Sequence, residues 1–325
     1  MENLTVAELG ESESLRRTVA RLKKSATAIV GSGDDAAVMP AIDSFVVSTD
    51  TLVEDHDFKL AWSSGFDLGF KAVATNLADI AAMGAIPTSL VVAVVIPGTT
   101  KISWLEDFAD GLQSALDSLC PDASIVGGDI AAGEKVVVSV TVHGQLQGLA
   151  PVLRSGAKPG DIVAVAGTLG KAACGLEILQ SENSDFIRSY DEWVLAQLRP
   201  KPPISEGQVA NSSGANSMMD ISDGLLKDLH RIAKASGVAI EISSKELAGY
   251  EAMLDLPAQA LGVNPRDWVL TGGEDHALLA TFPSQTQLPK SFKAIGQVIQ
   301  GQTPKVFLDG VEAKDLGWDS IIGNN

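Results

Sequence analysis

Five short segments of this 325-residue chain set carboxylates beside glycines or at the ends of apolar runs. They are Gly33-Asp34-Asp35, Ser48-Thr49-Asp50, Gly127-Gly128-Asp129, Asp220-Ile221-Ser222-Asp223-Gly224 and Gly272-Gly273-Glu274-Asp275. Carboxylates at strand ends can approach one centre from several directions, and glycine lets backbone and ligand come close. Oxygen donors without a His or Cys cluster favour Mg²⁺ or another hard cation. Because Mg²⁺ usually bridges a few carboxylates to substrate phosphates, the set points to phosphoryl chemistry on a nucleotide. Each segment alone would pass as an ordinary turn; the weight lies in their recurrence.

Other chemistries lack their parts. Gly31-Ser32-Gly33-Asp34-Asp35-Ala36 imitates a dinucleotide-binding glycine loop, but two carboxylates would stand where a pyrophosphate must approach. Gly167-Thr168-Leu169-Gly170-Lys171 resembles a P-loop, yet Val165 holds the first glycine position and Ala172 replaces the magnesium-binding hydroxyl. The histidines, His56, His143, His230 and His276, show no metal-binding spacing, and His230 reads as a polar-face helix residue. No GxSxG elbow is present. Cys120 and Cys174 are too few for a disulfide framework or a cysteine metal site, and read as buried small hydrophobes in a reducing compartment.

Composition narrows the partners. With 41 acidic against 24 basic residues, the formal net charge of −17 repels nucleic acid over most of the surface. The N-terminal MENLTVAELGESESLRR has no apolar block, and the run Leu90–Pro97 is far too short to cross a bilayer. The expectation is a soluble, cytoplasmic protein with no membrane partner. A chain that is 45% hydrophobic can bury a large core in two domains of ordinary size.

The elements that must position the carboxylates alternate between strand and helix. β-branched runs predict strands at Phe45–Ser48, Leu90–Ile96, Ser124–Val126, Lys135–Gln145, Asp161–Ala166, Phe292–Ile299 and Lys305–Leu308. Helical spacing follows Ser64, with Phe66, Phe70, Val73, Leu77 and Ile80 on one side, and recurs over Trp104–Leu119. A third helix follows Asp223, with Leu225, Leu226, Leu229, Ile232 and Ala233 as its stripe and Gly237 as its stop. The Gly- and Pro-bearing tract Gln147–Asp161 is the best boundary, giving domains 1–147 and 148–325; Pro200–Asn216 reads as a surface loop.

In order along the chain, VGSGDDAAV (30–38), VSTDTLVEDHDF (47–58), GFKAVATNLADIAAMGAIP (69–87), IVGGDI (125–130), RSGAKPGD (154–161), MMDISDGLLKDLHRI (218–232), LTGGEDHALL (270–279) and GWD (317–319) resemble the thiamine-monophosphate kinase family. That family belongs to the superfamily of aminoimidazole ribonucleotide synthetase and selenophosphate synthetase. The resemblance implies an α/β (α+β) two-domain fold, whose N-terminal ATP/Mg²⁺-binding domains pair their sheets in a homodimer and whose C-terminal α/β domain completes the active site. It implies transfer of the ATP γ-phosphoryl group directly to thiamine monophosphate, with several Mg²⁺ ions and with K⁺ as a further candidate cation.

Carried over residue by residue, Asp34, Ser48, Thr49, Asp50, Asp79, Asp129, Asp220 and Asp223 resemble metal ligands, with Asp50, Asp129, Asp220 and Asp223 central to catalysis. Gly128, Asp129, Arg154 and Ser222 match nucleotide-binding positions; Asp57, Glu274 and Trp318 match substrate positions. Asp79 shares a polar helix side with Lys71, Thr75 and Asn76. Where the family reads V-E-G-x-H-F, this chain has Val53-Glu54-Asp55-His56-Asp57-Phe58, so Asp57 takes the histidine's place and His56 lies one residue earlier. The alternatives are another ATP-dependent synthetase of the superfamily or a non-catalytic nucleotide- or metal-binding protein. The TGGED segment and the GWD tail fit the kinase better than the synthetases.

Overall fold

The structure, a computed structural model, describes residues 4–30, 37–40, 44–301 and 303–318. It divides into two compact units, one of residues 1–80 and 86–148, the other of 81–85 and 149–325.

The first unit contains α1 (Val6–Leu9), α2 (Glu11–Val19), β1 (Phe45–Val53), α3 (Gly65–Ala82, whose last two residues group with the second unit), β2 (Ile86–Ile96), α4 (Ile102–Leu119), β3 (Ser124–Ala132) and β4 (Val137–Gln145). Its sheet runs β1-β4-β2-β3, with β2 and β3 parallel and the remaining pairs antiparallel. Ser64 opens α3 as expected: its hydroxyl accepts from Asp67 N–H at 3.2 Å and Asp67 Oδ2 accepts from Ser64 N–H at 2.9 Å, a reciprocal cap. Leu90, Val92, Val94 and Ile96 turn one face of β2 inward, with Val138, Val140 and Val142 of β4 beside them. Helix α3 is buried almost all round. Lys71, Thr75 and Asn76 are 4%, 5% and 1% exposed, so the polar row read from the sequence faces the interior rather than water.

The second unit is built on a mixed sheet ordered β11-β10-β7-β9-β5-β8-β6. In chain order it contains β5 (Ile162–Ala166), α5 (Lys171–Gln180), α6 (Ser184–Ser189), α7 (Asp191–Leu198), α8 (Ile204–Ser212), β6 (Ser217–Ile221), α9 (Leu225–Ser236), β7 (Ala239–Ile242), α10 (Ser244–Ala252), α11 (Asp255–Leu261), α12 (Pro265–Thr271), β8 (Ala277–Phe282), β9 (Phe292–Ile299), β10 (Lys305–Leu308) and β11 (Val311–Glu312). Helix α9 packs against β6, β7 and β10, burying Leu225, Leu226, Leu229, Ile232 and Ala233, and stops at Gly237 in the left-handed conformation (φ 68°). The tract Pro200–Asn216 is not simply a loop. Residues 204–212 are helical, with Ile204, Gly207 and Ala210 buried at threefold spacing, a stripe of small residues that carries little hydrophobic signal. A Cβ on Gly207 would lie 2.1 Å from the Ala81 carbonyl, which is why that stripe must be small.

Candidate active site

In the first unit, strand β1 delivers the Ser48-Thr49-Asp50 segment. Ser48 and Asp50 pair with Val142 and Val140, on the face where α3 lies, and Ser48 Oγ donates to Asp79 Oδ2 at 2.7 Å. Thr49 points to the other face, where its hydroxyl donates to the Val140 carbonyl and accepts from Thr141 Oγ1 at 3.0 Å. Asp50 is exposed and accepts from the Thr51 N–H at 2.8 Å. Ser48 and Asp79 are thus brought together, with Asp50 next along their face. Asp34 lies outside the described residues.

Gly128 and Asp129 are exposed on β3, the edge strand. A Cβ on Gly128 would lie 2.2 Å from the Val92 carbonyl, so the sheet itself requires glycine there. Beside them is a cavity of about 810 Å³, walled by Leu15 and Val19 of α2, Leu105, Phe108 and Leu112 of α4, and Gly127–Asp129.

At the start of β1's following loop, Asp57 Oδ2 accepts from Val53 N–H at 2.8 Å and its Oδ1 lies 2.9 Å from His56 Nδ1. Both oxygens are engaged within the turn, and the imidazole it holds is 43% exposed at its side chain. Asp57 therefore orients His56.

The second unit gathers most of its candidates. Asp220 is the penultimate residue of β6, 4% exposed, with Oδ2 3.0 Å from His276 Nδ1. The Glu274 N–H donates to the Ser222 carbonyl at 2.8 Å, the His276 N–H to Ile221 at 3.0 Å and the Trp318 N–H to Asp223 at 2.9 Å. A Cβ on Gly317 would stand 2.3 Å from the Asp223 carbonyl, so the GWD tail reaches this loop only because residue 317 is glycine; Asp319 lies outside the described residues. The Trp318 carbonyl accepts from Lys227. Asp220, Ser222, Asp223, Glu274 and Trp318 are therefore one cluster. Arg154 lies apart on the exposed 149–160 loop, where its carbonyl accepts from Ser236.

Glu274 and His276 have φ of 66° and 50°, unusual for residues with side chains. Such strain persists where surrounding structure over-determines it. The determinant between them is Asp275, whose carboxylate accepts from the N–H groups of Gly170 at 2.7 Å, Lys171 at 3.1 Å and Ala172 at 3.4 Å, and from Thr168 Oγ1 at 2.9 Å. The helix terminus that makes 167–171 look like a P-loop is thus already filled by the protein's own carboxylate. Burial pushes the Asp275 carboxyl up to about 6, outweighing these four donors.

Three groups escaped the sequence reading. Arg231 pairs with Asp223 and, at 2.6 Å, with Asp228 Oδ1. Asp228 is fully buried, its carboxyl pushed up to about 7 by burial and by the neighbouring Asp220 and Asp223 charges against the pull of Arg231. Its Oδ2 also accepts from Asp223 N–H at 3.2 Å. The available signal was an acidic residue at an interior phase of α9, between Leu225 and Leu229. The third is Gln197 of α7, whose amide donates to the Glu274 carboxylate. The cysteines are free and buried, with the Cys174 thiol pushed up to about 12 by burial, far from a nucleophile's range.

Among the described residues no three His, Cys, Asp or Glu side chains stand together as a metal cage, and no helix is long and apolar enough to cross a membrane. The donor chemistry still fits a hard cation: Ser48, Asp50 and Asp79 offer oxygens from one sheet face, and Asp220 and Asp223 use one named oxygen each toward His276 and Arg231.

Residues 33–146 match the family described as AIR synthase related protein, N-terminal domain, and residues 158–309 match its C-terminal domain. A thiamine-monophosphate kinase of Mycobacterium tuberculosis is 44% identical over 322 residues, covering 98% of this chain and 94% of the relative. A crystal structure of a thiamine-monophosphate kinase from Stenotrophomonas maltophilia K279a has a TM-score of 0.78 at 32% identity, covering 93% and 96% of the two chains. A structure described as AaThiL complexed with AMPPCP and TMP has a TM-score of 0.76 at 29% identity, covering 97% and 98%.

Proposed function

The chain belongs to the thiamine-monophosphate kinase family of AIR synthase related proteins, and from that premise we propose how its residues serve the reaction. The reaction is the ATP-dependent phosphorylation of thiamine monophosphate; it yields thiamine diphosphate and ADP. The carrying observation is the full-length 44% identity, joined by a relative that binds AMPPCP, an ATP analogue, together with TMP.

The attacking oxygen is a phosphate oxygen, already anionic near neutral pH, so no strong general base is required. The obstacle is bringing two polyanions to an acidic protein. In the first unit Ser48, Asp50 and Asp79 on the α3 face of the sheet, and Asp129 on β3, would hold Mg²⁺, as would Asp220 and Asp223 in the second, with Asp34 as a further ligand; Thr49, turned to the opposite face with its hydroxyl engaged, would not join the Ser48–Asp79 group through that hydroxyl. Mg²⁺ when bound neutralises the facing phosphates and stabilises charge on the transferring group. Gly128 and Asp129 border the cavity where nucleotide would bind, and its apolar walls suit a purine ring. Arg154 adds a charge-assisted contact to phosphate and Ser222 a backbone or hydroxyl contact. Glu274 and Trp318 contact the thiamine, Trp318 by stacking. At the position where the family has histidine, Asp57 sets the tautomer of His56, and the imidazole makes the contact.

The homodimer belongs to this reading. Phe45 and Val47 are 59% and 54% exposed on the open face of β1, apolar surface that sheet pairing would cover. Light scattering at micromolar concentration should give twice the 33.8 kDa of one chain. A cytoplasmic setting, where ATP is available, completes the reading.

The decisive assay supplies purified protein with ATP, Mg²⁺ and thiamine monophosphate, with and without K⁺. Equal amounts of thiamine diphosphate and ADP are expected, with free thiamine untouched. Turnover of free thiamine at comparable efficiency, or no diphosphate at any Mg²⁺ concentration, would overturn the assignment.

A further inference from the structure

Gln197 is 5% exposed, and its amide faces the Glu274 carboxylate. A carboxylate only accepts, so the NH₂ must be the end turned toward it, which fixes the amide's orientation. The other end, Oε1, is buried with no hydrogen-bond partner. One helical turn earlier the indole N–H of Trp193 is buried and equally unpartnered. Residues i and i+4 share one helix face, so α7 carries a buried acceptor and a buried donor one turn apart on the same face. The helix is held firmly: a Cβ on Gly175 of α5 would lie 2.0 Å from the Trp193 carbonyl, so α7 and α5 approach backbone to backbone. Native interiors leave few such groups unsatisfied, because each forfeits its hydrogen bonds to water.

An acceptor and a donor on one helix face can together complement an aminopyrimidine edge, which offers an N–H and a ring nitrogen. Adenine presents the same edge, but the Gln197 amide is tied to Glu274, the residue read above as a thiamine contact. We propose that Gln197 is a specificity-determining residue for thiamine monophosphate, its carbonyl accepting the pyrimidine 4-amino N–H while its NH₂ fixes Glu274, with the Trp193 indole donating to the adjacent ring nitrogen. This rests on the Glu274 reading under the proposed function.

The test compares kcat/KM for thiamine monophosphate and for its 4-oxo analogue, in wild type and Gln197→Met. A site built to accept an N–H rejects the analogue lacking it, so wild type should prefer the amine by at least about a hundredfold. Gln197→Met should narrow the ratio to below about tenfold, through loss on the amine substrate, and leave ATP-over-GTP preference unchanged. If the Met variant does not fold, Gln197→Asn, which withdraws the amide by one methylene, should narrow the ratio likewise. Equal losses on both thiamine substrates would reduce Gln197 to a structural residue and overturn the proposal. So would relaxed ATP-over-GTP preference with the thiamine ratio unchanged, which would move the edge to adenine. Glu274→Gln separates the two readings. If it leaves KM for thiamine monophosphate unchanged, the Glu274 reading fails and the proposal with it; if it raises KM while the Gln197→Met ratio stays at the wild-type value, the proposal fails alone.

Discussion

Asp50 and Asp129 of the first unit and Asp220, Asp228 and Asp275 of the second are of the same chemical kind and live in opposite surroundings. Asp50 and Asp129 sit exposed on a sheet. Asp220, Asp228 and Asp275 are 4%, 0% and 5% exposed, tied to His276, to Arg231 and to the N-terminus of α5. An exposed carboxylate costs the fold little and keeps its charge for a cation arriving from solution. A buried one is costly unless the protein supplies the partner, and once partnered it locks neighbouring backbone in place. On the proposed reading Asp50 and Asp129 are available to a cation, whereas Asp220, Asp228 and Asp275 hold the Ser222–Asp223 and Glu274–His276 segments together.

That contrast can be broken most forcefully at Asp228. Asp228→Ala removes the buried partner of Arg231 and the acceptor of Asp223 N–H, and should lower unfolding free energy by about 3–5 kcal/mol. Urea denaturation measures it; a loss below about 1 kcal/mol would mean that the network does not hold this unit.

Asp275 gives a pH signature. Its carboxyl lies at about 6 in the fold against an ordinary 3.8, so between pH ~4 and ~6 the native state binds more protons than the unfolded chain. Stability contributed by this group is then highest below pH 4 and falls as pH rises to 6, by about 3 kcal/mol for a shift of that size. In Asp275→Asn that decline should vanish from the stability profile. The same decline in the variant would assign it to other groups.

Much of this organisation was legible in the sequence, and the gaps have physical causes. The α9 stripe, its Gly237 stop and the Ser64 cap were readable because each is a local rule with a periodic or capping residue to show it. Strands β6 and β8 were not predicted. Each is buried at every position, so neither shows the alternation that marks a half-exposed strand. Strand β1 runs on to Val53 through Ser-Thr-Asp-Thr: Thr49 and Thr51 lie on the open face and Ser48 bonds Asp79 on the α3 face, so polar residues on both faces hid the strand's alternation. At the site, glycine-flanked acids announced themselves, whereas Gln197 acts through Glu274, 77 residues away in sequence, and the i,i+3 pair Asp228–Arg231 gains its importance because the fold buries Asp228 and turns Arg231 onto Asp223.

Two smaller effects sharpen the contrast from the first unit's side. Asp50→Asn and Asp129→Asn should each cut turnover by at least about a hundredfold, about 2.7 kcal/mol of transition-state stabilisation, while changing stability by less than about 0.5 kcal/mol. Stopped assays and melting curves on the same preparations read both numbers; a large stability loss in either would place these residues with the structural set. Smallest is the turn at 56–57. His56→Ala should raise KM for thiamine monophosphate several-fold, about 1 kcal/mol, with little change in kcat, and Asp57→Ala should do the same by releasing the imidazole. Asp57→Ala raising KM while His56→Ala does not would return the contact to the carboxylate.

The most direct test of the whole division is the Mg²⁺ dependence of turnover in Asp129→Asn. The half-saturating Mg²⁺ concentration should rise at least about tenfold over wild type, with high Mg²⁺ restoring part of the rate and the melting temperature unchanged. Wild-type Mg²⁺ dependence and wild-type turnover in this variant would contradict the claim that the first unit's exposed carboxylates are there to hold the cation.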